Sequence, residues 1–236
     1  MRFESSLAEV RLLRRYKRFL ADMEFPDGQR LTVHCPNTGA MLGCDRPGSR
    51  AWLSLAANPA RKYHWTWELV ETEAGVLVGL HTGRSNGLVR EAIGAGLIPG
   101  LKGYTELRTE VAVAPGSRVD FLLSGHAAHA DCYLEVKNVT AAVSGGIALF
   151  PDTISERASR HLRELMLKVQ HGQRAMLCFC VQRDDVREVR PADAIDRVYG
   201  QTLRQALKRG VEVCACVARI TPEELVLYRM VPVNIE

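Results

Sequence analysis

The sequence has no long apolar run and no strong excess of charge of either sign. No stretch of this 236-residue chain approaches the roughly 18–20 apolar residues that cross a bilayer. The segment from Met1 to Arg18 is charged almost throughout, so we expect neither a secretory signal nor a membrane partner. The formal net charge of +4 is weaker than that of a strongly basic nucleic-acid-binding domain. We therefore expect a cytoplasmic protein of one large or two small domains.

The cysteines lack the pattern of a disulfide framework. They are odd in number, seven in all, and no two have the Cys-x-x-Cys spacing that is usual for zinc. Cys178/Cys180 and Cys214/Cys216 are Cys-x-Cys pairs in apolar runs, where a period of two puts each pair on one face of a strand. Because free cysteine packs as a small apolar group, we expect buried, reduced thiols and a reducing compartment. A zinc site is the alternative.

Residues 1–82 consist of short apolar runs separated by turns. The turn signals are Pro26-Asp27-Gly28, Pro36-Asn37-Thr38-Gly39, Arg46-Pro47-Gly48 and Asn58-Pro59. Between and after them, RLTVHCP, AWLSLAA, HWTWELVET and VLVGLHT have the length and composition of strands. About five strands at this spacing favour an OB-like β-barrel, a fold that often binds oligonucleotides.

Basic residues stand beside aromatic ones in this first part. Exposed cations next to aromatic rings suit a phosphate backbone with stacked bases. The predicted nucleic-acid-binding residues are Arg14, Arg15, Lys17, Arg18, Arg61, Lys62 and Trp65. The alternative is that these residues are solvated strand edges around core aromatic rings.

Helix and strand signals alternate over residues 83–236. Ser85-Asn86 is expected to cap a helix over GLVREAIGAG, and Thr153 or Ser155 a longer helix to about Gln170. TELRTEVAV, RVDFLL and CYLEVKNV read as strands between these helices, and RAMLCFCVQ follows as a buried strand. IDRVYGQTLRQALKRG predicts a last helix before two final strands. This order predicts a mixed sheet with helices, in the α+β or α/β class.

One hairpin brings two acidic residues together. RVDFLL and CYLEVKNV flank a small, polar segment whose midpoint falls between Ala127 and Ala128. On a symmetric hairpin Asp120 and Glu135 lie opposite each other, with Cβ atoms about 4.5–5.5 Å apart. Lys137, two residues beyond Glu135, projects from the same face of its strand.

Two opposed carboxylates repel each other unless a positive charge lies between them. Mg²⁺ or Mn²⁺, which prefer oxygen ligands, would satisfy both acids, and a nearby lysine would stabilise negative charge that develops on a phosphate. This set of residues is what phosphodiester hydrolysis requires. The alternative is a cross-strand salt network of Asp120, Glu135, Lys137 and Arg118.

The acid, acid-x-lysine spacing within a helix–strand–strand–strand–helix–strand order resembles the PD-(D/E)xK nuclease superfamily. The whole chain resembles the sugar fermentation stimulation protein A family of bacteria and archaea. The segments that carry this resemblance are RYKRFLADM, HCPNTGAM, NPARKYHWTWELV, SRVDFLL, LEVKNVT, LFPD, SERASRHLREL and VQR. The resemblance implies an N-terminal OB-fold domain, a C-terminal restriction-endonuclease-like domain, DNA binding and a link to regulation of sugar (maltose) metabolism genes.

Carried over by position, the resemblance makes Asp120 and Glu135 metal ligands and Lys137 the catalytic lysine. Glu91 of the first helix is implied as a further ligand, with a solvent-facing glutamate as the alternative. Val119 precedes Asp120 where the superfamily has its eponymous proline. Residues that the resemblance places at the border of the site are Asp152, Arg157, His161 and Gln182; a helix cap for Asp152 and a surface position for His161 are the alternatives.

The predicted function is that of a DNA-binding protein with a Mg²⁺- or Mn²⁺-dependent nuclease site, with RNA as a second possible substrate. A catalytically idle DNA-binding regulator that retains the nuclease fold is the first alternative. A scaffold whose barrel binds another protein is the second. Opposed carboxylates favour the nuclease, because an idle site has no physical need for them.

Overall fold

The N-terminal part of the chain is a closed β-barrel. Its strands are β1 (Ala8–Tyr16), β2 (Leu20–Glu24), β3 (Arg30–His34), β4 (Arg50–Leu55), β5 (Trp65–Glu71) and β6 (Leu77–Gly79). The strand order is β3-β2-β1-β4-β5-β6, and a pairing of His34 with Thr66 joins β3 to β5 and closes the barrel. The fully buried side chains of Leu12, Met23 and Trp67 lie in its core. The expected OB-like barrel is confirmed.

The C-terminal part contains all three helices of the computed structural model, which describes residues 1–236 apart from the side chain of Ser144. A 3-10 turn at Thr82–Arg84 leads into α1 (Ser85–Gly94), and a second follows at Pro99–Leu101. The next elements are β7 (Glu106–Ala114), β8 (Ser117–Ser124), β9 (Cys132–Val139), β10 (Ala142–Val143), β11 (Ile147–Phe150), α2 (Glu156–Gln170), β12 (Arg174–Val181), β13 (Glu188–Pro191), α3 (Arg197–Lys208), β14 (Glu212–Ile220) and β15 (Leu225–Val231).

A mixed six-stranded sheet with helices on both faces organises this part. Its strand order is β15-β14-β12-β9-β8-β7, with β9, β12 and β14 parallel to one another and the outer pairs antiparallel. Leu88 and Val89 of α1 pack on one face. Leu162 of α2 and Leu203 of α3 pack on the other. The mixed sheet and the order of its long elements agree with the prediction.

Three short strands were not predicted. β10, β11 and β13 form a separate small sheet, in which β11 runs parallel to β13. Strands of two to four residues are too short for an alternation to be recognised. The helix caps also differ in part: Ser155 caps α2 through a bond from Ala158 N, but Ser85-Asn86 do not cap α1, whose N-cap position is Arg84.

The barrel and the mixed sheet share apolar and polar contacts. Trp52 and Leu69 of the barrel belong to the same core as α1 and the sheet. Gly79 N of β6 donates to Gln182 O, which follows β12. Phe3 N, in the segment before β1, donates to Glu223 O, so this segment packs on the C-terminal part although it precedes the barrel in sequence. Among the described residues, no helix is both long enough and apolar enough to span a membrane.

A buried ion pair fixes the junction between β5 and α1. Glu68 is 2% exposed, and both of its carboxylate oxygens accept hydrogen bonds of 2.7 Å from Arg84. Ser54 Oγ donates a further bond of 2.7 Å to Glu68. Because the carboxylate has been removed from water, it depends on these donors for its stability.

We expect Arg84→Ala to lower the free energy of unfolding by about 3–5 kcal/mol, because the substitution leaves a buried carboxylate without its cation. Urea denaturation followed by circular dichroism measures the loss. Arg30→Ala is the matched control, since Arg30 pairs with Glu24 at 2.6 Å but is 71% exposed. Its loss should stay below about 1 kcal/mol. Equal losses in the two variants would contradict the role given to the buried pair.

Candidate active site

The register of β8 and β9 is the one that the symmetric hairpin predicted. Phe121 pairs with Leu134, Leu122 with Tyr133, and Leu123 with Cys132. Extended by one step along both strands, this register would set Asp120 opposite Glu135. Regular pairing ends at that step: β8 continues alongside β7, while β9 continues alongside β12. The two acids therefore lie where the two strands separate.

Asp120 lies where the backbone pairing of β8 and β9 ends, and its side chain accepts hydrogen bonds there. Its Oδ2 accepts a hydrogen bond of 2.7 Å from Val136 N, and its Oδ1 accepts one of 2.8 Å from Asn86 Nδ2. Burial, together with the nearby negative charge of Glu135, holds the pKa of Asp120 above its ordinary value. Asp120 is thus half-buried, bonded through both oxygens and close enough to Glu135 to feel its charge.

Glu135 meets the cationic side of the site. It is 4% exposed, Lys137 Nζ lies 2.6 Å from its Oε1, and His161 Nδ1 contacts the same oxygen. Burial alone raises the pKa of Glu135, but the hydrogen bond with His161 and the charge of Lys137 outweigh it, so the pKa lies below its ordinary value. Glu135 is therefore an ionised carboxylate in the interior.

Successive side chains of β9 point to opposite faces of the sheet, which explains why Glu135 and Lys137 have polar partners while their neighbours are in the core. Leu134 and Val136 point into the core shared with α1, so Glu135 and Lys137 point to the opposite face, where α2 brings His161. Asp120 reaches the fork from β8, and Asn86 reaches it from the first turn of α1. Four elements thus meet at one small polar region.

The donor set fits a divalent cation that prefers oxygen. Two carboxylates with pKa values displaced in opposite directions lie beside each other. Both Lys137 and His161 bond to Glu135 Oε1, and among the described residues Oε2 accepts no hydrogen bond. Each carboxylate oxygen has two lone pairs, so Asp120 also keeps acceptor capacity beyond its two bonds. Hard oxygen ligands of this kind suit Mg²⁺, Mn²⁺ or Ca²⁺.

Glu91 lies elsewhere. Its carboxylate accepts a bond of 2.7 Å from the N-terminal ammonium of Met1, and its side chain is 53% exposed. Asn86, five residues earlier, is the α1 side chain that reaches Asp120. Five residues correspond to about 140° around an α-helix, so the two side chains leave α1 in different directions. The expectation that Glu91 joins the acid pair is corrected by this geometry.

Two of the expected border residues are at the site. His161 is 5% exposed and contacts Glu135, so it is not an ordinary surface residue. The exposed Arg157 lies one turn earlier on α2, and its Nε donates a long bond of 3.4 Å to His161 Nε2. The ring of His161 thus faces Arg157 with Nε2 and Glu135 with Nδ1.

The other two border residues hold the domains together. Asp152 does not cap α2: its Oδ2 accepts a bond of 3.0 Å from Met41 N in the barrel. Gln182 is fully buried, and its Nε2 donates to Asn138 Oδ1 at 2.6 Å and, more weakly, to His81 O of the N-terminal part at 3.4 Å. Neither side chain bonds directly to Asp120 or Glu135 among the described residues. Gln182 acts one step away, since Asn138 follows Lys137 in β9.

The predicted basic surface divides into structural and exposed residues. Arg15 Nη2 bonds to the carbonyls of Arg18, Asn37 and Gly39, so its guanidinium staples two barrel loops together. The half-buried Trp65 packs edge-on against Phe25. The remaining members of the set have these surroundings: Arg14 pairs with Asp22, Arg61 bonds to Thr66, Lys62 lies over the Tyr63 ring, and Lys17 and Arg18 are exposed.

Two residues at or near the site were not predicted as functional. Asn86 looked like a helix cap, and only the packing of α1 on β8 turns it toward Asp120. Phe19, at the turn between β1 and β2, is 43% exposed, which is unusual for a large apolar residue. The two cations before Phe19 in the sequence, Lys17 and Arg18, were the feature that could have indicated an exposed aromatic residue there. No sequence signal distinguishes Asn86 from an ordinary cap.

The cysteines are all free and buried. Cys178, Cys180, Cys214 and Cys216 lie in the core shared with α1, as the period of two predicted. The sulfur atoms of Cys178, Cys214 and Cys216 lie within 4.8 Å of one another, a separation that a metal ion could bridge. Burial raises the pKa of Cys180 to about 12, which keeps this neighbouring thiol protonated.

Two family models match the chain in succession. The "SfsA N-terminal OB domain" matches residues 13–80, and the "Sugar fermentation stimulation protein RE domain" matches residues 83–224. Two proteins called "Sugar fermentation stimulation protein homolog" are similar over the full length. That of Thioalkalivibrio sulfidiphilus (strain HL-EbGR7) is 59% identical over 100% of this chain and 98% of its own. That of Alkalilimnicola ehrlichii (strain ATCC BAA-1101 / DSM 17681 / MLHE-1) is 56% identical over 99% of each.

A solved structure has the same fold. The structure of Pyrococcus furiosus SfsA in complex with Ca²⁺ superposes with a TM-score of 0.88, over 99% of this chain and 98% of that one. The sequences are 24% identical, so the similarity concerns the fold. It extends over the barrel and the mixed sheet alike.

We expect the free energy of unfolding of the wild type, minus that of Asp120→Asn, to fall as the pH rises from about 4. Both proteins are measured in EDTA, so that no divalent cation is bound. The folded state holds the Asp120 proton more tightly than the unfolded chain, since the pKa of Asp120 is raised by burial and by Glu135. Between the unfolded and the folded pKa the native state therefore binds more protons, and stability falls with pH. Urea unfolding at a series of pH values measures the slope.

Asp193→Asn is the control, because its stability difference from the wild type should change with pH in the opposite direction. Hydrogen bonds from Arg204 hold the pKa of Asp193 below its ordinary value, so its stabilisation is present at neutral pH and is lost as the pH falls. We also expect Asp120→Asn to lower the free energy of unfolding by an amount that does not depend on pH. The reason is that an amide cannot accept hydrogen bonds at both positions. A flat pH profile for the Asp120→Asn difference would contradict the expected burial and coupling of the acid pair.

Proposed function

The chain belongs to the sugar fermentation stimulation protein family, and we propose that it is a DNA-binding nuclease that hydrolyses phosphodiester bonds with a divalent cation held by Asp120 and Glu135. The observation that carries this proposal is the acid pair at the fork of β8 and β9. One carboxyl has a raised pKa, the other a lowered pKa, and a lysine lies on the same face of β9. Acids and bases of hydrolytic sites are commonly separated in this way.

The cation is proposed to be Mg²⁺ or Mn²⁺, with Asp120 and Glu135 as its protein ligands. A bound divalent cation supplies charge that polarises a phosphoryl oxygen and makes a water molecule more acidic. The Ca²⁺ in the Pyrococcus furiosus relative supports a preference for hard, oxygen-liganded cations in this fold. The buried sulfur cluster is a poorer candidate for this chemistry, because thiolates select softer metals and the cluster lies in an apolar core.

Lys137 has the position and charge for a direct role. Its Nζ shares Oε1 of Glu135 with His161, so it is held at the acid pair and not free to swing into solvent. A substrate phosphate bound at the pair would receive a hydrogen bond from this ammonium group. Charge that accumulates on the phosphate oxygens as water attacks phosphorus and the ester bond breaks is stabilised by that donor.

His161 and Arg157 extend this arrangement. His161 is a positioning residue, because its Nδ1 contacts Glu135 Oε1 and its Nε2 accepts a hydrogen bond from Arg157. The guanidinium of Arg157 is exposed and lies beside the site. Planar guanidinium groups bind phosphate through paired hydrogen bonds, so Arg157 suits the phosphate next to the one that is cut.

One observation favours the second candidate, a DNA-binding regulator with an idle nuclease fold. Lys137 and His161 together compensate Glu135, while Asn86 and Val136 N satisfy Asp120. Both acids of the pair therefore have hydrogen-bond partners within the protein itself. The family name, which refers to stimulation of sugar fermentation, also suits a regulatory role. Cleavage separates the two candidates.

We expect the purified protein to cleave DNA in Mg²⁺ or Mn²⁺ and to be inactive in EDTA. Asp120→Asn and Lys137→Met should each lower the single-turnover cleavage rate at least about 100-fold, because each removes charge that acts on the reacting phosphate. Glu91→Gln is the matched control, since Glu91 pairs with Met1 away from the acid pair, and its rate should equal that of the wild type. Rates are measured on labelled oligonucleotides, with RNA as a parallel substrate.

Two results would contradict this function. If the wild type binds DNA but leaves every substrate intact in each divalent cation, the regulator is favoured. If Asp120→Asn retains the full cleavage rate, the activity arises from another site or from a contaminating enzyme.

A further inference from the structure

A cavity is lined by residues of both the barrel and the C-terminal part, among them Asn138, the neighbour of Lys137 in β9. Its volume is about 440 Å³, which is within the range of pockets that hold one small-molecule ligand. One wall is the turn between β1 and β2, with Lys17, Arg18 and Phe19. The lining also includes Thr140 and Asp152 of the C-terminal part.

The backbone of the β1–β2 turn is held in an uncommon conformation. Lys17 and Arg18 have φ values of +50° and +65°, in the left-handed region that non-glycine residues rarely occupy. Arg15 maintains this turn, because its Nη2 donates to Arg18 O at 2.9 Å and to Gly39 O at 2.7 Å. Such strain persists where the surroundings over-determine it, and it is common at sites that bind ligands. The effect here is to fix two cations at the edge of the cavity.

Phe19 adds an apolar surface to the same edge. Phe19 is 43% exposed, although it adjoins Leu20, which is buried in the barrel. An exposed phenyl ring that lines a cavity beside two cations has the composition of a site where a base stacks while its phosphates are neutralised. Asp152, which also lines the cavity, accepts a hydrogen bond from Met41 N of the barrel.

The cavity and the acid pair share three structural elements. Asn138, which lines the cavity, follows Lys137 in β9. Thr82 precedes Asn86 by four residues, and Ser155 precedes Arg157 by two. The lining of the cavity therefore includes residues close in sequence to those that carry the acid pair.

We infer that this cavity is a subsite for one unpaired nucleotide of single-stranded DNA, with the base stacked on Phe19 and its phosphates bound by Lys17 and Arg18. The inference rests on the proposed function and specifies its substrate class. A base that stacks on a protein ring must first leave its own stack, and a paired duplex cannot present one in this way. Single-stranded DNA, or a frayed or flapped end, is then the preferred substrate.

The test measures binding in EDTA, where cleavage does not occur. The probe is a fluorescein-labelled thymidine oligonucleotide of about 12 residues, a length within the range that single OB folds occupy. We expect the wild type to bind it more tightly than the corresponding duplex in fluorescence anisotropy. Phe19→Ala should weaken binding of the single strand about 5- to 150-fold, and Phe19→Trp should retain it.

Two further variants separate stacking from charge. Leu55→Ala is the control for Phe19, because Leu55 is 57% exposed on β4 and does not line the cavity; its affinity should equal that of the wild type. Lys17→Glu with Arg18→Glu should weaken binding and reduce its dependence on salt concentration. In a 2-aminopurine oligonucleotide, the fluorescence quenching caused by stacking should disappear in Phe19→Ala.

The outcomes distinguish this inference from the nuclease function. Loss of single-strand binding in Phe19→Ala supports the subsite even if the wild type cleaves no DNA. Equal affinity and equal quenching in Phe19→Ala and wild type overturn the subsite, even if the protein cleaves DNA in Mn²⁺. Preference of the wild type for duplex over single strand also overturns it.

Discussion

Two carboxylates held beside each other at the point where β8 and β9 separate are the constraint on which the site depends. The backbone pairing of the two strands ends there, and the side chain of Asp120 accepts a hydrogen bond from Val136 N. Glu135 is compensated by Lys137 and His161 on the other face of β9. Buried charges persist only when they are paired and hydrogen-bonded, so β8, β9, α1 and α2 must all be in place for the acids to coexist.

The two parts of the chain are joined by polar contacts close to this site. Arg84, which leads into α1, holds Glu68 of the barrel, and Asp152, which precedes α2, holds Met41 N. Gln182 bonds both to His81 O at the end of the N-terminal part and to Asn138, the neighbour of Lys137. The barrel is thus fixed against the same elements that carry Asn86, Lys137 and His161. The open space left between the two parts is the cavity bordered by the β1–β2 turn.

Much of the fold and the centre of the site could be predicted from local sequence signals. The hairpin between RVDFLL and CYLEVKNV set the register of Asp120 and Glu135, because a short symmetric turn determines which residues face each other. Residues whose role depends on another part of the chain were harder to predict. His161 and Asn86 approach the acids from α2 and α1, and Glu91 was expected there although it leaves α1 in another direction.

The sequence by itself determined the barrel, the mixed sheet and the register of the hairpin that carries the two acids, since each follows from alternation, turn residues and spacing within a few tens of residues. Only the tertiary structure decided which cations and amides complete the site, and which basic residues stay exposed. Arg15 became a staple between loops, while Lys17 and Arg18 remained at the edge of the cavity. The physical reason is that hydrogen-bond partners far apart in sequence are chosen by packing, which local patterns do not encode.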